Sequence, residues 1–185
     1  MLAAMPTLDV DGRSISFVRD GTLARRPLLL LAHGAGAPLT SPFMAQTAAG
    51  LARRGLCVVR FHFPYMEEAQ RRGKKKAPDP APRLLATWRA MLARARRMRR
   101  RGPLVLGGKS MGGRMASMLL ARGEAPGLAD VRGAVYLGYP LHPAGRPDEL
   151  RAAHLPDVPV PQLFVQGDKD RMGAPARLAA IAEAI

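Results

Sequence analysis

Leu104-Val105-Leu106-Gly107-Gly108-Lys109-Ser110-Met111-Gly112-Gly113-Arg114 runs from an apolar stretch into a helix-like pattern, with Gly-x-Ser-x-Gly at the change. A serine on a sharp strand-to-helix turn has a strained backbone, and the positions two before and two after it must be small. Gly108 and Gly112 meet that need, and Gly107 and Gly113 extend it. Such a turn projects the Ser110 hydroxyl beyond the strand's carboxyl end, where the helix N-terminus favours developing negative charge. Ser110 is therefore the candidate nucleophile. A phosphate loop is a poorer reading of Gly108-Lys109-Ser110, because that motif needs glycine at position 103, which is Pro103.

Outward from this turn, strand and helix signals alternate. Ser14 to Val18, after the Asp11-Gly12 turn, reads as an edge strand. Pro27 to His33, Leu56 to Phe61, Leu104 to Gly108, Ala134 to Leu137 and Gln162 to Gln166 read as five buried strands. Helices are expected from Thr40 or Ser41 to Arg54, from Arg83 to Arg101, from Gly112 to Arg122 with Gly123 closing it, and from Pro175 to Ile185. Phe63 to Pro82 reads as an irregular surface loop. Five core strands separated by helices imply a doubly wound parallel sheet, because parallel neighbours need crossover connections.

An oxyanion hole needs two backbone N–H groups aimed at one point. Met111, following the serine, supplies the first, and the His33-Gly34-Ala35-Gly36 turn supplies the second, with Ala35 preferred over Gly34 and Gly36. His33 is read as stabilising that turn.

The 185 residues carry a formal charge of +15, and 13 of the 29 Lys and Arg fall between Arg71 and Arg101. Only Trp88 interleaves with that run, so base stacking lacks parts and no specific nucleic acid is expected. The single cysteine, Cys57, excludes an internal disulfide and a multi-cysteine zinc site, and is read as a buried thiol. No motif indicates a metal or organic cofactor. No segment has the length of apolar sequence that a membrane helix requires, and a cytoplasmic location is expected.

Several motifs in order carry a resemblance across nearly the whole chain: Leu31-Ala32-His33-Gly34-Ala35-Gly36-Ala37-Pro38, Phe63-Pro64-Tyr65-Met66-Glu67, the Ser110 turn, Gly138-Tyr139-Pro140-Leu141-His142-Pro143 and Gln166-Gly167-Asp168-Lys169-Asp170. Together they resemble the small, lid-poor bacterial α/β-hydrolases related to dienelactone hydrolase. They are also similar to the hydrolase-like domain of a scaffold subunit of the NSL histone acetyltransferase complex. The resemblance implies one α/β-hydrolase domain over 1–185, with a mostly parallel sheet that lacks the final strand and helix, truncated at its C-terminus. It makes Ser110 the nucleophile and Asp170 the acid, with Asp168 the alternative. The histidine of that family follows one more strand, so His62, His142 and His154 are left as substitutes. Three functions remain open: a serine hydrolase of a small ester, thioester or lactone; a non-catalytic hydrolase-like scaffold; and a polyanion-binding surface. Self-association through the exposed sheet edge at Leu163 to Gln166 is expected as well.

Overall fold

A computed structural model describes residues 5–23, 26–98 and 102–185. Seven strands form one sheet in the order β1-β2-β4-β3-β5-β6-β7. The first two, β1 (Thr7–Val10) and β2 (Arg13–Asp20), make an antiparallel hairpin whose turn residues Asp11 and Gly12 have φ 50° and 75°. Positive φ at both central positions matches the right-handed twist of a two-residue hairpin. The strand read from Ser14 to Val18 is thus no edge. It lies between β1 and β4, and β1 was missed because four residues of mixed polarity give little periodicity.

The remaining strands, β3 (Leu28–Ala32), β4 (Cys57–Phe61), β5 (Leu104–Lys109), β6 (Val131–Leu137) and β7 (Gln162–Val165), are mutually parallel. Successive strand residues face opposite sides, and β3 shows both destinations. Leu28, Leu30 and Ala32 enter the larger cluster, while Leu29 and Leu31 pack with Met44 and Ala48. Those last two belong to α1 (Pro42–Arg53), which covers one face. The other face is covered by α3 (Ala81–Met98), α4 (Met111–Arg122) and α5 (Pro175–Glu183), through residues such as Leu84, Trp88, Leu119 and Leu178. Full burial of one such leucine contributes roughly 1.5–3 kcal/mol. Cys57 is fully buried in this cluster. The expected tail of the long basic helix, residues 99–101, lies outside the described residues.

Two further expectations fail. The stretch from Phe63 to Pro82 is not irregular throughout, because Pro64–Arg72 forms α2. Pro64 starts it, Gly73 closes it at φ 62°, and Tyr65, Met66 and Ala69 face the core. Its charged half masked the apolar face. The last strand is not buried either. β7 pairs only with β6 and is an edge, and its Leu163 and Val165 are 59% and 50% exposed. They stand beside Val135 and Leu137 on the face that α1 covers elsewhere.

Candidate active site

Because β3 to β7 are parallel, their carboxyl ends open on one rim, and the loops there hold His33, His62, Ser110, His142 and Asp170. Ser110 lies between β5 and α4 with φ 49° and ψ −117°. Its N–H donates to the Leu137 carbonyl at 2.9 Å, which pins the turn to β6. The turn is also packed too tightly for side chains beside it. A Cβ on Gly108 would lie 2.5 Å from Gly113 N, and one on Gly112 would lie 2.6 Å from the His33 carbonyl oxygen.

Met111 opens α4, so its N–H has no carbonyl of an earlier helical turn to use. The facing loop after β3 is held by side chains. His33 is fully buried; its Nδ1 donates to the Gly34 carbonyl at 2.7 Å, and its Nε2 accepts from Phe63 N–H at 3.1 Å. The Tyr65 hydroxyl donates to the carbonyls of Gly34 and Ala35, at 3.3 and 3.0 Å. In a trans peptide the N–H points opposite to the carbonyl before it. Anchoring the Gly34 carbonyl to His33 and Tyr65 therefore turns the Ala35 N–H away from both. Ala35, Ser110 and Met111 line one cleft of about 360 Å³, together with Arg114, His142 and Arg151.

Burial lowers the pKa of His33 to about 4, with a smaller push from His62. His33 is thus a neutral ring with both nitrogens committed. His62 Nδ1 binds Glu67 Oε2 at 2.8 Å, and Glu67 also accepts from the Ser16 N–H and hydroxyl. Although burial works against it, these bonds hold the Glu67 carboxyl at about 2. His154 bonds Ser117 Oγ at 2.8 Å behind α4, with its pKa lowered to about 4 by burial and by the Arg114 charge. His142 lines the Ser110 cleft, and its Nδ1 donates to the Pro143 carbonyl at 2.8 Å, which leaves the Nε2 lone pair free of that bond.

Asp170 is half-buried, whereas Asp168 is exposed. Asp170 Oδ1 accepts the Met172 N–H at 2.9 Å, and its Oδ2 and Lys109 Nζ share the space above Gly138. Asp170 is thus next to the residue preceding Ser110, but it does not line the cleft. Among the described residues, no histidine is hydrogen bonded to Ser110 or Asp170. No group of three or more His, Cys, Asp or Glu among them could hold a metal ion.

Three site features escaped the sequence reading: the Tyr65 hydroxyl, the buried Asp79 that accepts Tyr65 N–H at 2.9 Å and binds Arg83, and the cleft arginines. The Phe63-Pro64-Tyr65 motif marked the first of these without revealing its partners.

A family model described as an alpha/beta hydrolase domain matches residues 25–184. Solved structures show the same architecture. A lid-less α/β serine hydrolase from Xanthomonas campestris is 22% identical with a TM-score of 0.71, over 98% of this chain and 78% of that one. Est1E from Butyrivibrio proteoclasticus is 14% identical with a TM-score of 0.75, over 98% and 84%. A dienelactone hydrolase from Anabaena variabilis is 16% identical with a TM-score of 0.69, over 98% and 93%. At these identities the structural likeness establishes the fold.

Proposed function

Since the chain belongs to the alpha/beta hydrolase domain family, we propose that it is a serine hydrolase of the acyl-transfer class, acting on a small ester, thioester or lactone. One observation carries this reading: Ser110 sits at φ 49° on the strand-to-helix turn and faces a cleft shared with Ala35 and Met111. In the proposed reaction Ser110 Oγ attacks the substrate carbonyl carbon. The oxyanion meets the N–H groups of Met111 and Ala35, and as the bond from the carbonyl carbon to the leaving group breaks, the leaving group takes the proton that the base removed from Ser110 Oγ. Water then hydrolyses the acyl-enzyme by the same geometry in reverse. One oxyanion donor of this kind is worth roughly 10²–10³ in rate. Asp170 takes the role of acid ahead of Asp168, supported by its partial burial and its place beside Lys109.

The base is assigned less directly. His33 has both ring nitrogens committed, His62 is tied through Nδ1 to Glu67 with its Nε2 buried and without a hydrogen-bond partner, neither ring lines the Ser110 cleft, and His154 lies behind α4. His142 is the imidazole in the Ser110 cleft. A second reading, a non-catalytic hydrolase-like scaffold, is favoured by the lack of any hydrogen bond from a described histidine to Ser110 or Asp170. Without a positioned base, the oxyanion hole and binding alone supply about 10³–10⁴ over water.

Labelling with a fluorophosphonate separates the two readings. A hydrolase is labelled at Ser110, and Ser110→Ala abolishes the signal; loss in His142→Gln as well marks His142 as the base. A folded wild-type chain that stays unlabelled at high probe concentration overturns the hydrolase reading and supports the scaffold.

A further inference from the structure

The two edges of the sheet are finished differently. On β1 an exposed Asp9 interrupts the strand, and α3 packs against it. On β7 there is no such guard: from Val158 to Gly167 the chain carries no charge, and the ladder to β6 runs without a bulge. Pro161 accepts the Ala134 N–H through its carbonyl at 2.9 Å, and Val165 accepts the Gly138 N–H at 2.8 Å. In a parallel ladder both backbone groups of a residue point to the same neighbour, so the odd positions of β7 face β6. Gln162 and Phe164 present their N–H and C=O to the open side. The N–H that Pro161 lacks would have pointed at β6, so the proline takes no donor from the edge.

The side chains fix which way the strand is turned. Phe164 packs 4.9 Å from the Tyr136 ring, and Gln162 accepts from the Tyr136 hydroxyl at 3.1 Å and donates to the Leu155 carbonyl at 3.0 Å. Leu163 and Val165 take the opposite face. They are the two most exposed large hydrophobic side chains among the described residues. Two copies that each carry +15 repel one another wherever their surfaces are basic. An uncharged apolar strand is where such copies approach at least cost. An acidic partner, by contrast, finds no cation on this strand.

We propose that β7 is a self-association edge, pairing with β7 of a second copy about a two-fold axis that runs through Phe164. Identical edges related by a two-fold run antiparallel. Phe164 then exchanges both backbone bonds with Phe164 of the second copy, and Gln162 faces Gln166. Leu163 lies opposite Val165 at the close, non-hydrogen-bonded positions of the ladder. These four side chains cover one another and the adjoining Val135 and Leu137. Centring the axis on Leu163 instead would set Gln166 against Val160, which precedes the strand. The contact is small, so the dimer is weak and concentration-dependent. It uses no residue of the Ser110 cleft and does not depend on the hydrolase reading.

Sedimentation equilibrium over a concentration series tests this. A reversible monomer–dimer equilibrium is expected, and it tightens as salt rises, because salt screens the repulsion between two basic chains. Leu163→Lys and Val165→Lys, at side chains already half in water, are each expected to raise the dissociation constant at least about 10-fold. Leu150→Lys, at another exposed hydrophobic position, controls for added charge and is expected to change it little. Cysteines read the register. Leu163→Cys mixed with Val165→Cys should cross-link on mild oxidation, since directly opposite Cα atoms lie within disulfide reach, whereas Leu163→Cys alone should cross-link far less. Cys57 is fully buried and does not compete. A chain that stays monomeric up to about 1 mM overturns the proposal and leaves the edge to a strand of another protein. Association that survives both lysine substitutions, or equal cross-linking of Leu163→Cys alone and of the mixture, overturns it as well.

Discussion

Arg60, buried, and Arg114, half-buried, stand near the same rim of the sheet, yet they live in opposite surroundings. Arg60, on β4, is 6% exposed and saturated: Nε and Nη2 donate to Asp20 at 2.9 and 3.0 Å, and Nη1 donates to the Leu39 carbonyl at 2.5 Å. It ties the loop after β3 to β4 and β2, and so helps to fix the turn that carries Ala35. Arg114 has its cleft and an unpaired Nε. A buried guanidinium with every donor engaged is architecture, whereas one with a buried Nε left without a partner beside a candidate nucleophile contributes little to holding the fold.

The largest effect that could break this contrast is on stability. Arg60→Met strands Asp20 and the Leu39 carbonyl, and breaking such a pair from one side costs about 3–5 kcal/mol. Urea unfolding reads it, and a loss under about 1 kcal/mol would remove Arg60 from the architectural side.

Acid sharpens the same side. His33 holds the Gly34 carbonyl and accepts the Phe63 N–H, and protonation destroys the acceptor. Its pKa is lowered from 6.5 to about 4 in the fold, so the unfolded chain takes up the proton first as the pH falls. The neutral ring's contribution is complete above pH 6.5 and is lost on descending toward pH 4, by up to about 3 kcal/mol. Glu67, depressed from 4.5 to about 2, contributes above pH 4.5 and loses its share only below that. Unfolding free energies at pH 7 and pH 4.5 should therefore diverge clearly in the wild type and less in His33→Asn. Equal slopes in the two proteins would show that the ring is not the titrating group.

How much of this could be read from the chain differs by element. β3 and β5 were legible because continuous Leu and Val runs between turn residues have few other readings, and the Ser110 turn was legible because glycines crowd it. β1 was too short and too polar, and α2 hid its apolar face among Glu, Gln and Arg. β7 reads like its buried neighbours in sequence, yet its Leu163 and Val165 lie beyond the reach of α1. Arg114 was one arginine among 24 in the chain. Only the start of α4 at Met111 fixes its phase against Ser110, and only the positions of Asp79, Glu149 and Arg151 reveal that no carboxylate answers it. Charge compensation is a property of three-dimensional neighbours, and sequence spacing does not carry it.

The smallest expected effect is the most discriminating. Arg114→Met removes a guanidinium without orphaning an acceptor, relieves its repulsion with Arg151, and takes a cation from the positive end of α4. Methionine retains most of the apolar stem of the arginine. The change in unfolding free energy should stay within about 1 kcal/mol, and a modest gain is the expected sign. The two methionine substitutions therefore separate by several kcal/mol although both delete an arginine at the rim of the sheet. If Arg114→Met instead destabilised the fold as much as Arg60→Met, its guanidinium would be engaged by the protein itself, and the contrast with Arg60 would collapse.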